Sequence, residues 1–297
     1  MSDKHCFGSH VSVAGGLDRG VARAVELGCE CLQVFTKNAN AWKVAPLTDA
    51  AITAWQVAFQ KSGLKHPIAH ASYLINLASP DPVLWEKSIE ALVIEWQRCE
   101  VLQIEGLVLH PGAFTTSDEA TGLCRVVQAI IRVAESVSPK HCRLMLENTA
   151  GQGTCLGHSI KQIGEIIDGV TQQAAAYSGN LAVCIDTCHA FAAGYAIHTA
   201  GGFHDFVNEI KDVLPAGAVR AIHLNDSKKP LGSRVDRHEH IGRGELGLEA
   251  FRLLLADPLL GPLPGYLETE KGVDPQSERD WDEINLGVLR SLVEEMA

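Results

Sequence analysis

The chain has 297 residues, 46% of them hydrophobic, and a formal net charge of −11. That length and apolar share suffice for one α/β barrel or two ordinary domains, while the acidic balance argues against a general polyanion binder, which would carry a basic face. No stretch reaches the roughly 18 uninterrupted apolar residues of a spanning helix, and the opening Met1-Ser2-Asp3-Lys4-His5 lacks the basic region and apolar run of a leader, so a cytoplasmic protein without membrane association is expected.

Eight short β-like runs follow one another along the chain, at residues 6–9, 31–35, 67–70, 106–110, 143–147, 181–186, 219–225 and 266–269. Between them apolar residues recur at helical spacing: Ile89, Leu92, Val93 and Trp96; Leu123, Val126, Val127, Ile130 and Ile131; Phe203, Phe206, Val207 and Ile210. Alternating strands and helices predict parallel strands joined by right-handed crossovers. Eight such units predict an α/β fold of the (β/α)8 TIM barrel type, with a doubly wound open sheet as the competitor. No linker or composition break marks an internal boundary, so residues 1–297 are read as one barrel domain. Nine cysteines, an odd number without C-x-x-C pairs, read as reduced thiols in mostly apolar surroundings.

Nine side chains with metal-ligand chemistry lie mostly at or just beyond the ends of these runs: His70, His110, Glu147, Asp186, His189, His223, Asp236, His238 and Glu268. A barrel gathers the C-terminal ends of all its strands on one rim, so residues remote in sequence become neighbours there. One zinc takes about four ligands; nine candidates imply two or three ions sharing carboxylates, a cluster suited to hydrolysing a phosphate ester. Bound cations would also reverse the repulsion that a net acidic chain presents to phosphate.

Taken in order, residues 34–42 (VFTKNANAW) offer Lys37, Asn38 and Asn40 at the rim, either touching a ligand or forming a capped turn. HASYLINLASP begins with His70 and continues with apolar bulk, of which Tyr73 is the best wedge for a base stack; ordinary helix packing accounts for Ile75 and Leu77. His110 precedes Pro111 and Gly112, a sharp exit from the fourth run. LENTAGQGTCLG sets Glu147 before a glycine-rich loop, and a carboxylate with two oxygens can bridge two ions. In VCIDTCHAFAAGY an isolated Asp186 would read as a helix cap, but its company favours a ligand together with His189. Asp236 and His238 are two apart, so an extended stretch points both the same way and Arg237 the other. With Lys228, Lys229, Arg234 and Arg243, Arg237 is either a solvated loop face or a basic strip for a nucleic-acid backbone. Glu268 is a ligand or a proton acceptor beside a bound water; Glu270 is expected to be exposed. His10 lies close enough to the rim to line the site.

The segments SHVSVAGGL, FTKN, HASYLINL, HPG, LENTAGQG, CIDTCHAFAAGY, HLNDSK, GSRVDRHEHIG and LET resemble, in order, those of the endonuclease IV family of apurinic/apyrimidinic (AP) endonucleases, from Ser9 to about Thr269. The resemblance implies a TIM barrel with three zinc ions, manganese being an option at one site. It further implies incision of double-stranded DNA on the 5′ side of an abasic nucleotide to leave a 3′-hydroxyl, removal of 3′-blocking groups, and a place in base-excision repair. Carried over, His70, His110 and Glu147 hold one ion; Glu147, Asp186, His223 and Glu268 a second; His189, Asp236 and His238 a third. Glu147 and Glu268 are the expected catalytic carboxylates, and Lys37, Asn40, Tyr73, Leu74, Lys228, Arg234 and Arg237 the expected DNA contacts. Ala71 and Asn40 stand where some members carry an acidic and a basic residue. A monomer without a nucleotide cofactor is expected.

The alternative is a single-metal sugar isomerase or epimerase of the xylose-isomerase-like barrel type, which would leave His70, His110, His189, Asp236 and His238 without work. A metal-stabilised barrel that only binds damaged DNA is a third reading, disfavoured because closed structural zinc sites are rich in thiolates.

Overall fold

The computed structural model describes residues 5–296; the start of the N-terminal stretch read above for a leader lies outside them. Eight parallel strands close into a barrel: β1 (Phe7–His10), β2 (Cys31–Val34), β3 (Lys65–His70), β4 (Gly106–Leu109), β5 (Arg143–Glu147), β6 (Leu181–Asp186), β7 (Val219–His223) and, after a hairpin, β10 (Gly265–Leu267). β1 pairs with both β2 and β10, so the sheet has no free edge. The open-sheet competitor is thereby excluded, and each of the eight expected runs overlaps one strand.

Helices α1 (Leu17–Glu26), α2 (Asp49–Ser62), α3 (Pro82–Leu102), α4 (Glu119–Val137), α5 (Ile160–Gln173), α6 (Thr187–Ala193), α7 (Ala200–Val213), α8 (Gly247–Ala256) and α9 (Trp281–Glu295) alternate with the strands. Local chemistry sets their starts. Asp81, Asp118, Ser159 and Thr199 each accept a backbone N–H of the first turn with the side chain, satisfying donors that the helix leaves free. Pro82 follows Asp81 in the first turn of α3, where its missing N–H costs nothing. Among the described residues no helix is long and apolar enough to cross a membrane.

Two apolar layers result. Inside the barrel Cys31, Ile68, Val108, Met145, Ala182, Cys184, Ala221 and Tyr266 form a plug drawn from seven strands. A larger layer between strands and helices includes Leu32, Trp55, Trp96, Leu107, Ile130, Leu146 and Phe206. All nine cysteines are free, six of them buried; Cys124 is exposed.

After β7 the chain makes a small antiparallel hairpin, β8 (Asp226–Ser227) and β9 (His238–Glu239). Its root is held by Asp226, whose carboxylate accepts backbone N–H groups from Ser227, Gly242, Gly244, Leu246 and Gly247. A short pairing of two residues per strand leaves no period in the sequence, so nothing in the residue pattern announces this hairpin. It carries Asp236 and His238 back over the barrel mouth.

A metal-ligand cluster at the barrel mouth

Glu147 ends β5 with a fully buried side chain, and four imidazoles face it, two on each oxygen. His70 Nε2 and His110 Nε2 lie 3.1 and 3.0 Å from Oε2. His189 Nδ1 and His223 Nδ1 lie 3.3 and 2.9 Å from Oε1. Burial alone would push the Glu147 carboxyl up; His223 and His110 beside it hold it well below the usual carboxylate range. Glu268, just past β10, sits 3.2 Å from His223 Nδ1 and 3.1 Å from His10 Nδ1.

Each expected ligand can be traced to a local cause. Asp186 ends β6 and is also the N-cap of α6: its Oδ1 accepts the His189 N–H at 2.7 Å. Its Oδ2 accepts from Asn225 Nδ2 at 2.6 Å and lies 3.6 Å from His238 Nε2. Both readings of this residue, cap and cluster member, therefore describe its surroundings at once. Asp236 meets His189 Nε2 at 3.2 Å and His238 Nε2 at 3.3 Å. Past β4, Gly112 adopts φ +110°, and a side chain there would run into Asn76 Oδ1, so the turn after His110 needs glycine. In the glycine-rich loop after Glu147, Gly151 and Gly153 likewise adopt positive φ.

Taken together, the nine side chains form three groups in which one ligand atom per residue lies within 4.8 Å of the others: His70, His110 and Glu147; Glu147, Asp186, His223 and Glu268; His189, Asp236 and His238. The donor chemistry fits divalent cations. Oxygen and imidazole donors converge with matching charge, and His189 Nε2 and His238 Nε2 approach to 3.4 Å beside the Asp236 carboxylate, a packing of lone-pair bearers that a cation satisfies. A fourth group joins Cys188 to Asp186 and His238. Burial pushes that thiol up to about 12, and its Sγ–H donates to the Arg237 carbonyl at 3.7 Å, whereas the three groups above consist of oxygen and imidazole donors.

The expected DNA contacts divide. Tyr73 is 60% exposed above the cluster, its ring 5.2 Å from that of His70 and 5.6 Å from that of Phe35; Leu74 is half-buried beside it. Asn40 is exposed, and its N–H donates to Asn38 Oδ1 at 2.9 Å, which is the capped turn. Arg234 and Arg237 are exposed, whereas Lys228 is paired with the exposed Glu270 at 3.0 Å. Lys228, Arg237, Tyr73 and Glu270 line one cleft of about 310 Å³ with six of the cluster residues. Lys37 is held from beneath. Its side chain is only 2% exposed, and its ammonium pairs with Glu95 on α3 at 3.2 Å and donates to the Ala41 carbonyl at 2.6 Å. Glu95 also accepts the Ser72 N–H, so Lys37 ties two rim loops together at the wall of the cleft that Asn40, Tyr73 and Glu268 also line. Ile75 and Leu77 are buried as expected, though in a loop and not a helix.

Gln33, Asn148, Asn225 and Glu95 touch or support the cluster without having been expected to. Gln33 had one available signal, a buried-strand position with a polar side chain between Leu32 and Val34.

A profile of the xylose isomerase-like TIM barrel family matches residues 21–283. The chain is 42% identical over 288 residues to the probable endonuclease 4 of Chloroflexus aurantiacus, covering 97% of this chain and 98% of that protein. It superposes on the crystal structure of endonuclease IV from Thermus thermophilus with a TM-score of 0.84 and 31% identity, covering 98% and 99% of the two chains. A D-allulose 3-epimerase from Methylomonas sp. shares the fold alone, with a TM-score of 0.67 and 16% identity over 99% and 98% of the chains. Barrel, cluster and relatives agree: the chain belongs to the endonuclease IV family of xylose isomerase-like TIM barrels.

Proposed function

We propose that this endonuclease is a metal-dependent DNA-repair enzyme that hydrolyses the phosphodiester on the 5′ side of an abasic nucleotide, leaves a 3′-hydroxyl, and removes blocking groups from 3′ ends. The observation that carries this reading is Glu147: a buried carboxylate shared between two donor groups and ringed by four imidazoles. The three groups would hold three zinc ions, with manganese accepted at one of them by the same oxygen and nitrogen donors. When bound, such ions lower the pKa of water at the site and neutralise charge on the phosphate in an in-line displacement.

The protein's own residues supply the rest. His70 donates Nδ1–H to the Ala71 carbonyl at 2.7 Å, His189 to the Asn148 carbonyl at 2.9 Å and His238 to the Glu268 carbonyl at 3.2 Å. Each bond fixes the ring and leaves Nε2 to face the cluster. Glu268 lies at the edge of the group, 10% exposed, where it can accept a proton from the attacking water. Tyr73 and Leu74 would fill the space of the missing base, and an abasic nucleotide swings out of the stack at lower cost than an intact one. Arg234, Arg237 and Lys228 would hold the flanking phosphates, with Asn40 on the cleft that Tyr73 and Glu268 also line.

The sugar-epimerase reading needs one metal and leaves His70, His110, His189, Asp236 and His238 idle, yet these five side chains stand within the first and third groups. Elemental analysis of the purified protein separates the two. About three metals per chain supports the nuclease and about one the isomerase. This reading includes a monomer, and the nine free cysteines support a reducing compartment such as the cytoplasm.

A further inference from the structure

His223 is oriented differently from its partners. In His70, His189 and His238 the Nδ1–H is fixed by a backbone carbonyl and Nε2 faces the cluster, His189 Nδ1 also lying 3.3 Å from Glu147 Oε1. In His223 the ring is reversed: Nδ1 faces Glu147 and Glu268, and Nε2–H donates to Gln33 Oε1 at 2.8 Å. A backbone carbonyl is present whatever the sequence; the His223 partner exists only because position 33 is glutamine.

The same amide has a second attachment. Gln33 Nε2 donates to Glu268 Oε1 at 2.5 Å and lies 2.9 Å from His10 Nδ1. A group that must accept at one end and donate at the other has one self-consistent orientation between an imidazole N–H and a carboxylate. Gln33 is fully buried near the end of β2, so water cannot replace either bond. We infer that Gln33 is a positioning residue: it fixes which nitrogen of His223 faces the cluster and holds Glu268 against the same ring, so that the group of Glu147, Asp186, His223 and Glu268 retains its cation. This rests on the metal-dependent reading above, and it places a determinant of cation retention on a strand that supplies no ligand of its own.

The test uses zinc alone and the full chain. Gln33→Met keeps the length of the side chain and removes both polar ends; Gln33→Glu keeps an acceptor for His223. Zinc retention is measured by competition with a chromophoric chelator, and the protection of the His223 Nε2–H from solvent exchange by NMR on protein with 15N-labelled histidine. Gln33→Met is expected to lose about 10–100-fold in retention of one zinc, as outer-shell changes do, and to lose the protected N–H. Retention in Gln33→Met equal to that of the wild type overturns the inference. Should that variant fail to fold, Gln33→Glu decides: it is expected to keep the protected N–H, and losing it overturns the inference. If the wild type itself holds no zinc, the metal-dependent reading falls first, an outcome distinct from a wild type that holds zinc and a Gln33→Met variant that holds it equally.

Discussion

The Asp186 carboxylate caps the helix that carries His189. One oxygen accepts the His189 N–H at 2.7 Å while the other faces Asn225 and the cluster. Asp236 also faces His189, but from a hairpin and with its side chain 43% exposed. Removing either carboxylate should weaken metal retention, but only Asp186 is built into the fold. In metal-stripped protein at a pH where His189 is neutral and its pairing with either carboxylate no longer contributes, Asp186→Ala is expected to lose about 1–2 kcal/mol through the cap alone, and Asp236→Ala markedly less. Urea unfolding of both stripped variants checks this, and equal losses would contradict the double role.

Lys37 gives a second expectation. Burial pushes the Glu95 carboxyl up, and Lys37 offsets this only in part, so each charge needs the other. Lys37→Ala strands Glu95 and should cost about 3–5 kcal/mol. A lysine touching a DNA phosphate would, when removed, reduce the salt dependence of binding by about one unit of slope; Lys37→Ala is expected to leave that slope unchanged. Titrations of an abasic duplex at several salt concentrations measure it.

The strands were legible because each is a short apolar run closed by a polar residue, and Glu147 and Asp186 stand at those closures. The ligand groups were legible because a barrel gathers its strand ends. Less visible was everything that acts through a partner remote in sequence. Lys37 reads as a rim charge until Glu95, on a helix one strand further on, is seen beneath it. Gln33 reads as a polar interruption in an apolar run, since nothing local announces that His223 lies opposite. The hairpin of β8 and β9 is anchored by backbone bonds to Asp226 that no side-chain pattern encodes.

Protonation opposes metal uptake in this cluster. Burial would strip the proton from His189, but Asp186 and Asp236 hold the imidazole well above its ordinary 6.5; His223 is raised likewise, with Cys184, Glu268 and Glu147 beside it. In the metal-stripped protein these raised imidazoles contribute stability that is full below 6.5 and is lost as pH climbs through their folded values. Glu147 and Glu268, held low, contribute above 4.5 and lose that contribution in acid. Zinc must displace the imidazole protons, so the rise in Tm on adding zinc should grow as pH climbs above 6.5 through the raised folded values. A zinc increment independent of pH would contradict this.

Tyr73 offers exposed aromatic area next to His70 and no hydrogen bond of its own among the described residues. Tyr73→Ala should leave fold stability within about 0.5 kcal/mol and weaken binding of an abasic duplex by about 1–3 kcal/mol, the worth of one stacking contact. Binding measured in parallel on an intact duplex should change less. Equal losses on both duplexes would mean that Tyr73 does not read the lesion.

The most direct measurement is incision of a duplex carrying a single abasic nucleotide, by the metal-loaded protein, by the same protein stripped with a chelator and reloaded with zinc, and by Glu147→Ala. The account predicts one break, 5′ to the abasic site with a 3′-hydroxyl, absent after stripping, restored by zinc and lost in the variant. Cleavage that survives both stripping and Glu147→Ala, or an intact duplex in the presence of fully loaded protein, would contradict it.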